Sequence, residues 1–286
     1  MNIKNIFITG ANGFIGKNLK EFLSIKYNLL TPNSKELDLS NKTKVKVFFE
    51  NNKIDFIIHC ANRGGLRGAI DSQDVVTDNL KMFDNLCENM TNQRMIFFGS
   101  GAQYDKNRNL KKVKENDFGK NIPKDYYGYS KYLITKKILQ KENILNLTLF
   151  GCYGKYELLT RFPSYAINQN LKKEDIVINQ NVKFDYLYID DLCKIVEYFI
   201  GNKPKFKVIN VTPTDSIDLL SVSNIVNEIS TYKSKIVIKK KELNNEYTGD
   251  NSLLLQEIKN FKFTLYPDGV NNLYKLLKEN KIINGK

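Results

Sequence analysis

The chain has 286 residues, 42% of them hydrophobic, which is enough to bury a large core as one α/β domain with a smaller appended lobe. Its 44 lysines and arginines against 31 acidic residues give a formal charge of +13, but they are spread along the chain, with no run longer than the three lysines at 239–241. No nucleic-acid module accompanies them and no run of eighteen apolar residues exists, so a solvated basic surface is expected, without nucleic-acid binding or a membrane span.

In chain order, Asn5-Ile6-Phe7-Ile8 reads as a strand entered at once from the N-terminus, which leaves no signal peptide and suits a cytoplasmic protein. Ile15, Leu19, Phe22 and Leu23 then recur at helical spacing. Between them lies Thr9-Gly10-Ala11-Asn12-Gly13-Phe14-Ile15-Gly16, a G-x-x-G-x-x-G turn from strand to helix. Glycine permits the tight backbone, and the helix N-terminus offers free N–H groups to a pyrophosphate. Dinucleotide binding is the expectation.

After a second strand near 28–31 the sequence reads Thr31-Pro32-Asn33-Ser34-Lys35-Glu36. An acid here would bind the ribose hydroxyls of NAD and repel the extra phosphate of NADP. Asn33 and Ser34 can donate hydrogen bonds and Lys35 can pair with a phosphate, whereas Glu36 argues the other way; NADP is favoured and NAD stays open. Further strands are expected near 55–60, 94–99 and 145–150, with helices near 14–25, 42–52, 73–91 and 126–142. For the 42–52 helix, Asp38 could be the N-cap, though Ser40 suits that position better. This alternation predicts a parallel, doubly wound (Rossmann) α/β sheet with its crevice at the strands' C-terminal ends, where the glycine loop, Arg63 and Ser100 all fall.

Tyr127 and Lys131 are four apart and share a helical face. An ammonium beside a phenol favours the phenolate and brings its pKa toward the working range of an acid/base. From 151 the pattern loosens into a helix near 159–171, strands near 176–178 and 185–188, and helices near 190–200, 219–231 and 271–280. The reading divides the chain into a dinucleotide-binding domain over 1–150 and a substrate lobe over 151–286. Strands near 185–188 and 208–211 interleave with the first domain. Cys60, Cys87, Cys152 and Cys193 form no C-x-x-C pair, and the single histidine, His59, has no cysteine or histidine cluster around it. Reduced thiols, no metal site and a local hydrogen-bonding role for His59 are expected.

These pieces together resemble the extended short-chain dehydrogenase/reductases, the NAD(P)-dependent epimerase/dehydratase family acting on nucleotide sugars. The resemblance rests on the glycine loop, Gly99-Ser100, Tyr127/Lys131, and Asp185-Tyr186-Leu187-Tyr188-Ile189-Asp190-Asp191, similar to the family's R-D-F-x-x-V-D-D. Asp250-Asn251-Ser252 and Tyr266-Pro267-Asp268-Gly269-Val270 close the chain in the same manner. The resemblance implies catalysis by Ser100, Tyr127 and Lys131, in which Tyr127 protonates a keto oxygen, Lys131 lowers the tyrosine pKa and holds the nicotinamide ribose, and Ser100 binds the same oxygen. It implies cofactor contacts from Gly10, Asn12, Gly13, Phe14, Ile15, Asn33, Lys35, Asp38, Leu39, Cys60, Ala61 and Asn79, besides Tyr127 and Lys131. Arg63, Ala102, Arg161 and Lys183 are the candidates for the nucleotide-diphosphate sugar, with Asn79 a further one. A homodimer serving polysaccharide biosynthesis is also implied.

Absences narrow the reaction. Dehydratases of the family carry an Asp-Glu pair after the serine or threonine, where this chain has Gly101-Ala102-Gln103. The segments 35–39, 47–50 and 63–66 are most similar to GDP-fucose synthase, which epimerises C3 and C5 with a cysteine and a histidine; here Ala102 and Thr160 stand in those places. The expected activity is therefore NADP-dependent C4 reduction of a nucleotide-linked 4-keto-6-deoxy sugar without epimerisation. An NAD-dependent 4-epimerase and a non-catalytic dinucleotide-binding regulator are the alternatives. Phe184, in place of the signature's arginine, and Gly151, in place of asparagine, mark departures in how the substrate is held.

Overall fold

The structure, a computed structural model, describes residues 4–66 and 70–284, with side chains to residue 279. Its first half alternates as β1 (Asn5–Thr9), α1 (Phe14–Leu23), β2 (Asn28–Leu30), α2 (Lys42–Asn51), β3 (Phe56–His59), α3 (Asp74–Asn89), β4 (Arg94–Ser100), β5 (Leu110–Val113), α4 (Tyr126–Ile138) and β6 (Ile144–Leu149). The second half runs β7 (Gly151–Tyr153), α5 (Phe162–Leu171), β8 (Ile176–Gln180), β9 (Lys183–Phe184), β10 (Tyr186–Tyr188), α6 (Ile189–Gly201), β11 (Val208–Val211), β12 (Ile217–Asp218), α7 (Leu219–Ile229), β13 (Ile236–Lys240), β14 (Tyr247–Gly249), α8 (Ser252–Glu257) and α9 (Tyr266–Asn284).

Six strands form one parallel sheet in the order β11-β6-β4-β3-β1-β2. β3, β6 and β11 are buried at every position, as a sheet covered by helices on both faces requires, and the polar residues among them, His59, Asn146, Thr148 and Asn210, are hydrogen-bonded in the interior. Two apolar clusters fill the two sides: Phe7, Ile57, Phe83 and Phe97 lie in one, and Ile6, Ile8, Ile58 and Ile96 in the other. The chain's direction of winding reverses between β1 and β3. That switch opens a crevice at the carboxyl ends of those strands.

Two local expectations are corrected. Neither Asp38 nor Ser40 caps α2; the cap is Asn41, whose side chain accepts from the Lys44 amide. Asp38 is instead held in a turn, accepting from the Ser40 amide and hydroxyl at 2.9 and 2.6 Å. Nor does the strand near 185–188 enter the main sheet: β10 pairs with β7 in a separate two-stranded ladder, while β11 takes the place beside β6. The lobe is joined across position 150 as well, since β5 pairs with β14 in a small sheet ordered β12-β9-β14-β5.

Candidate active site

The glycine turn is built from close contacts that exclude side chains. Gly10 has φ +64°, and a Cβ there would come within 2.6 Å of the Ala61 amide nitrogen. A Cβ on Gly16 would lie 2.3 Å from the Gly10 carbonyl oxygen. These two glycines let β1, the turn and the segment after β3 pack together. Thr9 bridges the same strand ends: its hydroxyl meets Nδ1 of the buried His59 at 2.7 Å and accepts from the Ala61 amide at 3.1 Å. Burial holds His59 neutral, with its pKa lowered to about 3, so it hydrogen-bonds locally and carries no charge.

Gly13 differs from its two neighbours in the motif. It is exposed and caps α1 without a side-chain hydrogen bond, and no acidic residue lies in the helix's first turn. The amino end of α1 is thus left to an anion, and the residues around it fit a dinucleotide's pyrophosphate. Asn12 is exposed beside it, and Phe14 and Ile15 are half-buried. At the tip of β2, Asn33 and Glu36 spend their side chains on their own turn. Asn33 Oδ1 accepts from the Lys35 and Glu36 amides, and Glu36 Oε2 accepts from the Asn33 amide at 2.8 Å. Lys35 projects from this turn, exposed. Leu39 is buried in the apolar cluster under the crevice, its carbonyl bound by Asn85.

Ser100 ends β4, and Tyr127 and Lys131 lie on the first turns of α4. The helix starts where it does because Asp125 caps it, accepting from the Gly128 amide at 2.9 Å, and Gly128 lets it approach the Ala102 carbonyl. The Ser100 hydroxyl lies close enough to the Tyr127 phenol to pull its pKa down, against the larger effect of burial. Lys131 is 4% exposed; its Nζ donates to the Phe98 carbonyl at 2.9 Å and lies 5.7 Å from the centre of the Tyr127 ring. Desolvation lowers its pKa to about 7.

The expected electrostatics of the pair are corrected here. Burial raises the Tyr127 pKa above the ordinary phenol value, and the opposing pull comes from the Ser100 hydrogen bond and the charge of Arg161. The four-residue spacing does place Lys131 beneath the ring, but its own ammonium is desolvated and bonded to a peptide carbonyl.

Arg161, the N-cap residue of α5, reaches the same place, with Nη2 3.5 Å from the Gly65 carbonyl. Gly65 presses on the Tyr127 ring: a Cβ there would sit 2.8 Å from Tyr127 Cε2. Asn79 secures this loop, accepting from the Arg63 amide and donating to the Arg63 carbonyl and to Ser130 Oγ. Its amide is spent on the loop rather than facing a ligand. Arg63 pairs with Asp78 through an exposed side chain. Cys60 is half-buried at the strand end, its thiol pushed up by burial. Ala102 is buried, its amide donating to Ser100 Oγ at 3.2 Å. Thr160 is exposed.

Of the substrate candidates, Lys183 is not brought to the triad. It is exposed on β9, and strand alternation sends it to the face opposite Phe184. Phe184 packs 5.8 Å from the ring of Tyr247, whose hydroxyl is 3.5 Å from Ser100 Oγ. Tyr247 is the residue that sequence reasoning missed. It lies 120 positions beyond Tyr127, and only the pairing of β14 with β5 and β9 carries it to the serine.

A glycine-rich strand-to-helix turn and the Ser100, Tyr127 and Lys131 side chains stand on one parallel, doubly wound sheet. The profile of the NAD dependent epimerase/dehydratase family matches residues 6–212, and the chain belongs to that family. It is similar to GDP-L-colitose synthase of Yersinia pseudotuberculosis, 26% identical over 261 residues that cover 82% of this chain and 85% of that protein. A GDP-mannoheptose C4 reductase from Campylobacter jejuni with NADP bound has a TM-score of 0.82 at 21% identity, over 97% of this chain and 99% of its own. A GDP-L-fucose synthetase from Naegleria fowleri gives 0.83 at 16% identity, over 98% and 94%. At such identities the structural likeness shows the fold. Among the described residues, no helix is long and apolar enough to cross a membrane.

Proposed function

We propose that this enzyme is an NADP-dependent C4 reductase of a nucleotide-activated 4-keto-6-deoxy sugar. The observation that carries the reading is the convergence of the Ser100 hydroxyl and the Tyr127 phenol over a buried Lys131, with the inert Ala102 beside them. When bound, the dinucleotide supplies a hydride. Tyr127 holds the proton that the sugar's C4 oxygen needs, and its raised pKa keeps that proton in place until negative charge develops. Ser100 donates a second hydrogen bond to that oxygen. Arg161 is the best-placed cation for the diphosphate, since a guanidinium fork matches phosphate geometry.

NADP is supported by Lys35 at the tip of β2 and by Glu36 folding back onto its own turn. The NADP named with the heptose reductase accords with this. The GDP-linked sugars named for all three relatives support a nucleotide-sugar substrate. The test is a panel of nucleotide 4-keto sugars assayed for NADPH oxidation. Stoichiometric oxidation with one of them supports the reductase. A cofactor retained through purification, with sugars interconverted and no net NADPH consumed, would replace it with a 4-epimerase.

A further inference from the structure

Ser100 Oγ has one proton to donate and two lone pairs to fill. The Ala102 amide fills one of them, donating at 3.2 Å within the short 3-10 turn that follows β4. The Tyr247 hydroxyl is a second neighbour, at 3.5 Å. We propose that Tyr247 is a positioning residue for Ser100: by donating to the second lone pair, its phenol leaves the serine proton only one direction, toward Tyr127 and the reacting oxygen.

The site is built for this contact. Gly101 has no side chain where a Cβ would meet the Tyr247 hydroxyl at 2.8 Å and the Phe150 ring at 2.6 Å. The Tyr247 ring is held by Phe150 and Phe184, with centroids 5.3 and 5.8 Å away. A Cβ on Gly249, two residues on in β14, would strike Phe150 at 2.5 Å, so the strand can lie this close only as it is. Desolvation pushes the Tyr247 phenol well above its usual range, which keeps it protonated and a donor. In the ligand-free site the serine proton goes to Tyr127, whose own proton stays free for the substrate. When substrate binds, the same proton turns to the keto oxygen without Ser100 having to choose between acceptors. The titratable and charged groups that face Tyr127 are Arg161, Asp125, Asp71, Lys131 and Tyr247 itself.

This inference rests on the reductase reading for its kinetic arm, so the experiment has a second arm that needs no substrate. Tyr247→Phe keeps the ring and its packing and removes only the hydroxyl. With the 4-keto sugar that proves active in the panel, kcat is expected to fall roughly tenfold, the worth of one hydrogen bond, with KM little changed. In a Ser100→Ala background the same change should have no further effect. In the other arm, the Tyr127 phenol is titrated without ligand, by the ultraviolet difference between each protein and its Tyr127→Phe version. Loss of the Tyr247 hydroxyl should move the Tyr127 midpoint upward, because Ser100 no longer donates to it steadily. A purely structural tyrosine would leave that midpoint in place or lower it, since an ionisable neighbour has been removed. An unmoved or lowered midpoint, or an equal kcat penalty in both serine backgrounds, overturns the proposal.

Discussion

Two titratable groups at the centre of the site sit away from their solution values in opposite directions. Burial drives Lys131 down to about 7 and Tyr127 up, so at neutral pH the lysine is partly deprotonated while the phenol keeps its proton. Tyr127→Phe removes that proton and keeps the ring against Gly65. Folding should be retained, and turnover should fall by roughly 10²–10⁴, as measured by NADPH oxidation with the active sugar. Near-normal turnover would move the acid elsewhere. On the 33–36 turn, Lys35 is exposed while Glu36 is bonded back to the Asn33 amide. Lys35→Glu should lower kcat/KM with NADPH and spare NADH. Higher wild-type efficiency with NADH would contradict the cofactor assignment. Ser100, Tyr127 and Lys131 were legible because their chemistry is encoded in residue type and short spacing. Tyr247 was not, because a tyrosine in a tyrosine-rich chain has no local signal. The opposed shifts were hidden too, since burial depends on every wall of the pocket.

At the scale of elements, α4 carries Tyr127 and Lys131, and Asp125 fixes its first turn. Asp125→Ala removes the cap and the Lys106 ion pair, and should cost about 1 kcal/mol in denaturant unfolding. It should also lower kcat, because Tyr127 is on the uncapped turn. Unchanged stability would mean that α4 is held by packing alone. The main-sheet strands and first-half helices were legible because the buried parallel strands are short, largely apolar segments and amphipathic helices repeat at 3.6 residues. The strands β5, β7, β12, β13 and β14 were not. They span two to five residues and pair with segments up to about 137 positions away, as Leu110 does with Tyr247, so no local periodicity announces them. The cap of α2 was misplaced for a related reason: Asp38, Ser40 and Asn41 are all good caps in sequence, and the turn at Asp38 decides among them.

Over the whole molecule, the ionisation of a buried carboxyl couples to folding. Glu157 is 8% exposed, bonded to Ser164 at 2.7 Å, and burial raises its pKa from 4.5 to about 8. A carboxyl whose folded pKa exceeds its unfolded value leaves stability intact below about 4.5 and removes it as pH climbs through about 8. Glu157→Gln should therefore flatten the fall in stability between those pH values, read as the difference between the two proteins' urea midpoints. An identical pH dependence would show that the carboxyl is solvated. The central claim concerns what the assembled site does to a sugar. Epimerisation at C3 or C5 needs a proton acceptor and a donor on opposite faces of the ring. The Ala102 methyl beside Ser100 and the exposed Thr160 hydroxyl supply neither. The most direct test is to run the reaction in heavy water with NADPH and a nucleotide 4-keto-6-deoxy sugar, and to locate deuterium in the product by NMR. The expected product is reduced at C4, with no label at C3 or C5 above the substrate's spontaneous exchange. Enzyme-dependent deuterium at either carbon would contradict reduction without epimerisation.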